Sequence, residues 1–203
     1  MKELKSRSRV YAGVPARLLG RLGLTPNALT VLGSVLTASV GLLIAHGWFV
    51  AAGVCLWVFS ATDTLDGALA RASNRVTIFG AFLDSVCDRY AEAAVFLGLV
   101  WWYQAQADWL GLALSYLAVI GSLMVSYARA RAEGVGLQAA EVGWFQRPER
   151  IILLGLGLLA APLASAALKT VLGLLVVLTT ITVFQRARHV ARASRYNQPH
   201  TTP

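Results

Sequence analysis

Two short stretches of this 203-residue chain, DTLDGALAR (residues 63–71) and GAFLDSVCD (residues 80–88), place four aspartates within otherwise apolar sequence. Asp63 and Asp66 are three residues apart, and Asp84 and Asp88 are four apart, so each pair lies on one face of a helix. An Asp within a membrane costs roughly 2.5–3.5 kcal/mol on a mild insertion scale, and four cost on the order of 10 kcal/mol. A cost of this size argues against chance placement of the four carboxylates.

The sequence around these stretches is that of a membrane protein. Apolar residues make up 57% of the chain and charged residues 14%, which excludes a soluble globular protein and a disordered chain. Six segments are long enough to cross a bilayer, which takes about 20 residues. They are residues 27–46, 48–70, 78–102, 109–128, 151–168 and 170–185. The sequence therefore predicts an all-α, polytopic membrane protein with six transmembrane helices in one bundle.

The basic residues predict the orientation of these helices. Sixteen of the 18 Lys and Arg fall in the N-terminal arm, in the loops after the second and fourth spans, or near the C-terminus. Only Lys169 falls on the opposite side, and Arg89 lies inside the third span. By the positive-inside rule, both termini and the acidic site face the cytoplasm of a cell-membrane protein. The net charge of +8 thus reflects topology, and we expect no nucleic-acid partner.

Three regions follow from this pattern. Residues 1–24 form a juxtamembrane arm whose apolar residues fall near helical spacing among cations, which predicts an amphipathic helix lying on anionic membrane lipids. A solvated basic arm that serves only topology is the alternative. We expect residues 25–188 to form the six-helix transmembrane domain, and residues 189–203 to form a polar cytoplasmic tail.

Four carboxylates at close range require counterions, because each negative charge raises the pKa of the next. Two divalent cations would balance them, and all-oxygen ligation favours a hard cation such as Mg²⁺, with Mn²⁺ also possible. Two alternatives remain at this point. The acids could form ion pairs with Arg71, Arg75 and Arg89, or they could line the path of an ion or proton carrier.

Small residues accompany the acids and leave room for a ligand. Gly67, Ala70 and Gly80 lie beside them at fixed spacing. With these residues included, the two stretches resemble at every position the signature of the CDP-alcohol phosphatidyltransferases. The resemblance implies six transmembrane helices, a homodimer, two metal ions, and transfer of a phosphatidyl group from a CDP-linked lipid to an alcohol with release of CMP.

The resemblance also implies roles for individual residues. Asp63, Asp66, Asp84 and Asp88 would be metal ligands, and Asp88 would also be the catalytic base that takes the proton of the acceptor hydroxyl. The residues that would contact the CDP-linked donor lie in NALT (Asn27–Thr30), in the acidic stretches and between them. They are Asn27, Ala28, Leu29, Thr30, Gly67, Ala70, Arg71, Thr77 and Gly80.

Arginines on three further helices bear on the acceptor. As helix-end residues they could serve only topology and lipid headgroups. However, SYARARAEGVGL (residues 126–137) followed by FQRPERIILL (residues 145–154) resembles the phosphatidylinositol phosphate synthases of actinobacteria. That resemblance implies CDP-diacylglycerol as donor, 1D-myo-inositol 3-phosphate as acceptor, and phosphate binding by Arg129, Arg150 and Arg186. Those synthases more often have Lys at the position of Arg129. A sibling synthase that uses glycerol 3-phosphate, a phosphatidylglycerophosphate synthase, is the alternative.

Overall fold

The computed structural model describes the backbone of residues 25–72, 77–137, 142–164 and 166–196, and side chains within 25–61, 77–137, 142–164 and 166–194. Every regular element in these ranges is an α-helix, which confirms the predicted all-α class and the number of six helices. The amphipathic helix predicted for residues 1–24 lies outside the described residues. The helices are α1 (Pro26–Ala45), α2 (Phe49–Ala72), α3 (Ile78–Ala105), α4 (Trp109–Gly134), α5 (Arg147–Ala160) and α6 (Ala167–Tyr196).

The chain divides into two compact units, Met1–Trp102 and Tyr103–Pro203. The first contains α1, α2 and most of α3, and the second contains α4, α5 and α6. That all six helices form one bundle stays a prediction.

In the first unit, small residues let the helix backbones approach closely. Helix α1 begins after Thr25, whose hydroxyl accepts a hydrogen bond from the Ala28 N–H at 3.2 Å. Its buried residues recur every three or four positions, which gives the helix one packed face. On that face Gly41 meets the backbone of Ala94 and Gly98 on α3 so closely that a side chain at Gly41 or Gly98 would clash.

In the second unit, α6 packs against both α4 and α5. Its buried residues, Leu168, Leu172, Leu175, Thr179, Thr182 and Arg186, follow alternating spacings of four and three. Gly121 of α4 lies against Thr179, and Gly157 of α5 lies against Val171. At the other end of this unit, Lys169 Nζ donates to Asp108 Oδ2 at 2.8 Å, and Asp108 also caps α4. Helix α6, including Arg186 near its C-terminal end, is therefore held within a packed three-helix unit.

Three helices in the described part of the chain, α1, α4 and α6, are long and apolar enough to cross a membrane. Helix α3 is longer than most of the others but carries the charges of Asp84, Asp88, Arg89 and Glu92. Many large apolar side chains on these helices are exposed, among them Leu42, Trp101 and Phe184. Such a surface is expected where lipid covers the protein.

The largest differences from the predicted boundaries lie at the ends of α5 and α6. Helix α5 spans Arg147–Ala160, whereas the sequence predicted an unbroken span over 151–168. Pro162 has no N–H with which to continue the ladder of hydrogen bonds, so the helix ends before it. Helix α6 continues to Tyr196, beyond the start of the polar tail predicted at residue 189, because the segment is rich in the helix-favouring residues Ala and Arg.

Candidate active site

The acidic residues of α3 lie along one face of the helix. Asp88 is 8% exposed and Glu92, one turn further on, is 9% exposed, while Asp84 is half-buried. Carboxylates are almost never this deeply buried unless they are paired or bind a cation. The burial of Asp88 therefore fits the predicted role of the acidic motif.

Arg89 supplies one positive charge beside this face. Its Nη1 lies 3.8 Å from Asp88 Oδ2 and donates a hydrogen bond to the Ser85 carbonyl at 2.6 Å. The distance to Asp88 exceeds that of a hydrogen bond, so Arg89 acts on this carboxylate through its charge.

The other half of the motif lies on the last turns of α2. Asp63, Asp66, Gly67, Ala70 and Arg71 belong to this helix, and their side chains lie outside the described set. Among the side chains that are described, no three acidic, His or Cys groups come together as a metal site. The predicted four-carboxylate arrangement therefore stays a prediction.

Three of the residues predicted to contact the donor come together in the first unit. Thr77 precedes α3, and its hydroxyl accepts a hydrogen bond from the Gly80 N–H at 2.9 Å. A methyl group at Gly80 would lie 3.1 Å from Asn27 Oδ1 of α1. Asn27, Thr77 and Gly80 thus form a polar group beside the start of α3, where free backbone N–H groups favour anions.

The remaining residues of NALT have different surroundings. Ala28 is exposed, whereas Leu29 and Thr30 are buried at 7% and 8% exposure. The Thr30 hydroxyl donates to the Pro26 carbonyl at 3.1 Å, within its own helix. Of the four residues, Asn27 is the one whose side chain lies against Gly80.

The three arginines predicted to bind the acceptor phosphate come together in the second unit. Arg150 on α5 and Arg186 on α6 are both 2% exposed. Arg186 lies close enough to Arg129, Arg150 and Glu133 to interact with their charges. Because cations at close range repel one another, binding of an anion would stabilise a cluster of this kind.

Arg129 and Arg186 form specific hydrogen bonds. Arg129 Nε donates to Glu133 Oε1 at 2.9 Å, one turn along α4. Arg186 Nε donates to the Val142 carbonyl at 2.8 Å, and its Nη1 donates to the Val125 carbonyl of α4. Arg186 therefore connects α6 both to α4 and to the segment that precedes α5.

The sequence did not lead us to expect Glu133 or residues 142–146 beside the arginine cluster. The spacing of four residues between Arg129 and Glu133 could have indicated their ion pair. No sequence pattern indicated the contacts of residues 142–146, because these contacts join residues about 40 positions apart. An example is the hydrogen bond from the Trp144 N–H to Gln185 Oε1 at 3.2 Å.

Comparison with known proteins identifies the family to which this chain belongs. Residues 23–191 match the family described as CDP-alcohol phosphatidyltransferase. The phosphatidylinositol phosphate synthase of Mycobacteroides abscessus is 39% identical over 189 residues, which cover 88% of this chain and 82% of that protein. The structure of Mycobacterium tuberculosis phosphatidylinositol phosphate synthase with CDP-DAG bound has a TM-score of 0.83 and 34% identity, covering 95% of this chain and 96% of that one. The structure of that enzyme with manganese and citrate also has a TM-score of 0.83 and 34% identity, with 95% and 92% covered.

The fold, the apolar helices and these matches define an integral membrane protein. The chain belongs to the CDP-alcohol phosphatidyltransferase family and is an enzyme of phospholipid biosynthesis. The ion-carrier alternative is not supported by this assignment.

Proposed function

We propose that this protein transfers the phosphatidyl group of CDP-diacylglycerol to 1D-myo-inositol 3-phosphate, giving phosphatidylinositol phosphate and CMP. The observation that carries the proposal is the clustering of Arg129, Arg150 and Arg186 in one unit of a family member. The names of the relatives support it, as does the CDP-DAG bound to the M. tuberculosis synthase.

The charge of the cluster supports a phosphorylated acceptor. It holds three guanidinium groups and the carboxylate of Glu133, so positive charge predominates. A phosphate monoester carries about −1.5 to −2 near neutral pH and offers three acceptor oxygens to the forked donors of arginine. An unphosphorylated alcohol would add no negative charge to this predominantly positive cluster.

The donor set of the acidic motif fits divalent cations. Four aspartates at the spacing of the family signature offer hard oxygen ligands, and Asp88 is held in a buried position. We propose that Asp63, Asp66, Asp84 and Asp88 hold two Mg²⁺ or Mn²⁺ ions, a choice supported by the manganese in the relative. When bound, these ions would neutralise charge on the diphosphate.

The remaining donor contacts would orient the nucleotide. Asn27, Thr77 and Gly80 form the polar group at the start of α3, and Gly67, Ala70 and Arg71 would contribute from α2. Glycine and alanine let the diphosphate approach the backbone, and arginine adds a forked donor to phosphate.

In the proposed reaction, a hydroxyl oxygen of the acceptor attacks the phosphorus that carries the diacylglycerol. Asp88 accepts the hydroxyl proton, the new P–O bond forms, and the bond to the bridging oxygen breaks, so that CMP leaves with the bonding electrons. A carboxylate is a weak base for a hydroxyl, and its contribution depends on holding the reacting groups in attack geometry. The buried position of Asp88 on α3 suits that requirement.

Two further features belong to the proposal. The distribution of Lys and Arg supports an active site and both termini on the cytoplasmic side. The family resemblance supports a homodimer within the membrane.

A reconstitution experiment tests the activity. Purified protein in detergent with lipid should release CMP from CDP-diacylglycerol only when a divalent cation and inositol phosphate are both present. Release of CMP that needs glycerol 3-phosphate instead would favour the sibling synthase. Absence of release with every acceptor would overturn the proposed transfer.

A further inference from the structure

Residues 142–146, termed here the α5 leader, precede α5 and contact α6. The leader lies directly on α6, because a methyl group at Gly143 would come within 2.6 Å of Thr182 Cγ2. Gly143 has a φ of +101°, a backbone conformation that residues with a side chain rarely adopt. The close packing and this φ value together require glycine at the position.

Two neighbouring side chains of α6 bind the leader's backbone. Arg186 Nε donates to the Val142 carbonyl at 2.8 Å, and Gln185 Oε1 accepts from the Trp144 N–H at 3.2 Å. The indole of Trp144 is 85% exposed, whereas Phe145 is 9% exposed. The leader is therefore attached to α6 by its backbone, and the Trp144 side chain adds little packing.

The leader continues into the first turn of α5, where Arg150 lies. Gln146 N donates to Glu149 Oε2 at 3.0 Å, and Arg150 N donates to the Gln146 carbonyl at 3.2 Å. These bonds fix the start of α5 relative to the leader. The first turn of α5, on which Arg150 lies, is thus joined to α6 through the leader.

We infer that Gln185 is a positioning residue of the acceptor site: by binding the Trp144 N–H it holds the α5 leader on α6 and so aligns Arg150 with Arg186. The inference rests on the proposed acceptor function. Gln185 acts through the backbone and does not itself contact phosphate. Its loss should weaken binding of the acceptor and leave binding of the donor unchanged.

The test compares Gln185→Met, which keeps the length of the side chain but removes the accepting oxygen, with Gln104→Met, a change at an exposed glutamine near the end of α3. Because a neutral hydrogen bond is worth about 0.5–1.5 kcal/mol, Gln185→Met should raise the KM for inositol phosphate roughly two- to tenfold. The KM for CDP-diacylglycerol and kcat should stay near wild type, as should all constants of Gln104→Met.

Hydrogen–deuterium exchange of the peptide that contains residues 142–146 gives a second readout, independent of acceptor identity. Exchange should be faster in Gln185→Met, and it should stay slow in Gln185→Glu, which retains an accepting oxygen. Gly143→Ala, which strains the leader itself, should also speed exchange and raise the KM for the acceptor.

The two hypotheses fail in different ways. If the wild-type enzyme does not use inositol phosphate, the proposed function is wrong. The role of Gln185 can then still be tested by hydrogen–deuterium exchange of the leader, and by the KM for whichever acceptor the enzyme does use. An active Gln185→Met enzyme with unchanged exchange or unchanged acceptor KM overturns the role of Gln185. Equal changes in the KM for donor and acceptor would overturn it as well.

Discussion

Asn27 and Gly80 lie so close together that a methyl group at Gly80 would come within 3.1 Å of Asn27 Oδ1. The same methyl group would lie 3.0 Å from the Thr77 hydroxyl, which caps the first turn of α3. The start of α1 and the start of α3 thus meet at a glycine. This contact joins the NALT segment to the acidic stretch, which are more than 50 residues apart in sequence.

Gly80→Ala should therefore impair the donor site while the fold persists. The two atoms that the new methyl group would meet are the ends of side chains, which can shift by a few tenths of an ångström. We expect the KM for CDP-diacylglycerol to rise about three- to tenfold, with little change in the KM for the acceptor. Gly173→Ala is the matched control, because nothing lies within 4 Å of a methyl group at that helical glycine. Equal effects of both variants would show that Gly80 has no special role.

The variants Asp84→Asn and Asp88→Asn should distinguish the role of a metal ligand from the role of the catalytic base. Each change removes a charge while keeping the size of the side chain, so expression and membrane insertion should be maintained or improved. Asp84→Asn should abolish turnover even at saturating Mg²⁺. Near wild-type turnover by this variant would refute its assignment as a ligand.

For Asp88→Asn we expect kcat to fall by on the order of 10²–10⁴, while binding of CDP-diacylglycerol remains measurable. Titration of the purified variant with CDP-diacylglycerol, alongside single-turnover rates, provides the comparison. If binding and turnover fall by the same factor, Asp88 acts as a ligand only and the proton leaves by another route.

Arg150→Ala should weaken binding of the acceptor specifically. A charge-assisted hydrogen bond to phosphate is worth about 1.5–3 kcal/mol, so the KM for inositol phosphate should rise roughly tenfold to a hundredfold. Arg188→Ala is the control, since Arg188 is an exposed arginine near the same end of α6. An arginine that serves only topology would leave both KM values unchanged, and that result at Arg150 would count against an inositol phosphate site.

The ion pair between Asp108 and Lys169 should make stability depend on acid pH. The N–H of Gly111 and then the ammonium of Lys169 lower the pKa of Asp108 below its usual value. The stabilisation is therefore present above the ordinary pKa of Asp, about 4, and is lost as pH falls through the lowered value.

Asp108→Asn keeps an N-cap but loses the ion pair, whereas Asp108→Ala loses both. At pH 7 the Tm should fall in the order wild type, Asn variant, Ala variant. The gap between wild type and the Asn variant should close in strong acid. A gap that persists unchanged from pH 7 to pH 3 would contradict the assignment.

Much of the architecture could be predicted from the sequence because its signals are local. Apolar length and the spacing of Asp84 and Asp88 predicted helices, and the structure contains them. The end of α5 was misjudged because residues 161–168 remain apolar, although Pro162 stops the helix. The extension of α6 was missed because a polar segment was interpreted as a tail despite its helix-forming composition.

In the candidate site, too, the features with a local sequence signal could be predicted and those without one could not. The clustering of Arg129, Arg150 and Arg186 was predicted from a resemblance together with their common position at helix ends. The attachment of Trp144 to Gln185 could not be predicted, because neither residue carries a recognisable signal and the contact depends on the backbone path of the α5 leader. Interactions of this kind arise from tertiary packing.

The identity of the acceptor is the central claim, and one competition measurement tests it most directly. Purified enzyme would receive CDP-diacylglycerol, Mg²⁺ and equal concentrations of inositol 3-phosphate, glycerol 3-phosphate and unphosphorylated inositol, and the lipid products would be quantified by mass spectrometry. We predict that phosphatidylinositol phosphate is the dominant product and that CMP forms in equal amount. Phosphatidylglycerophosphate or phosphatidylinositol as the main product would contradict the account.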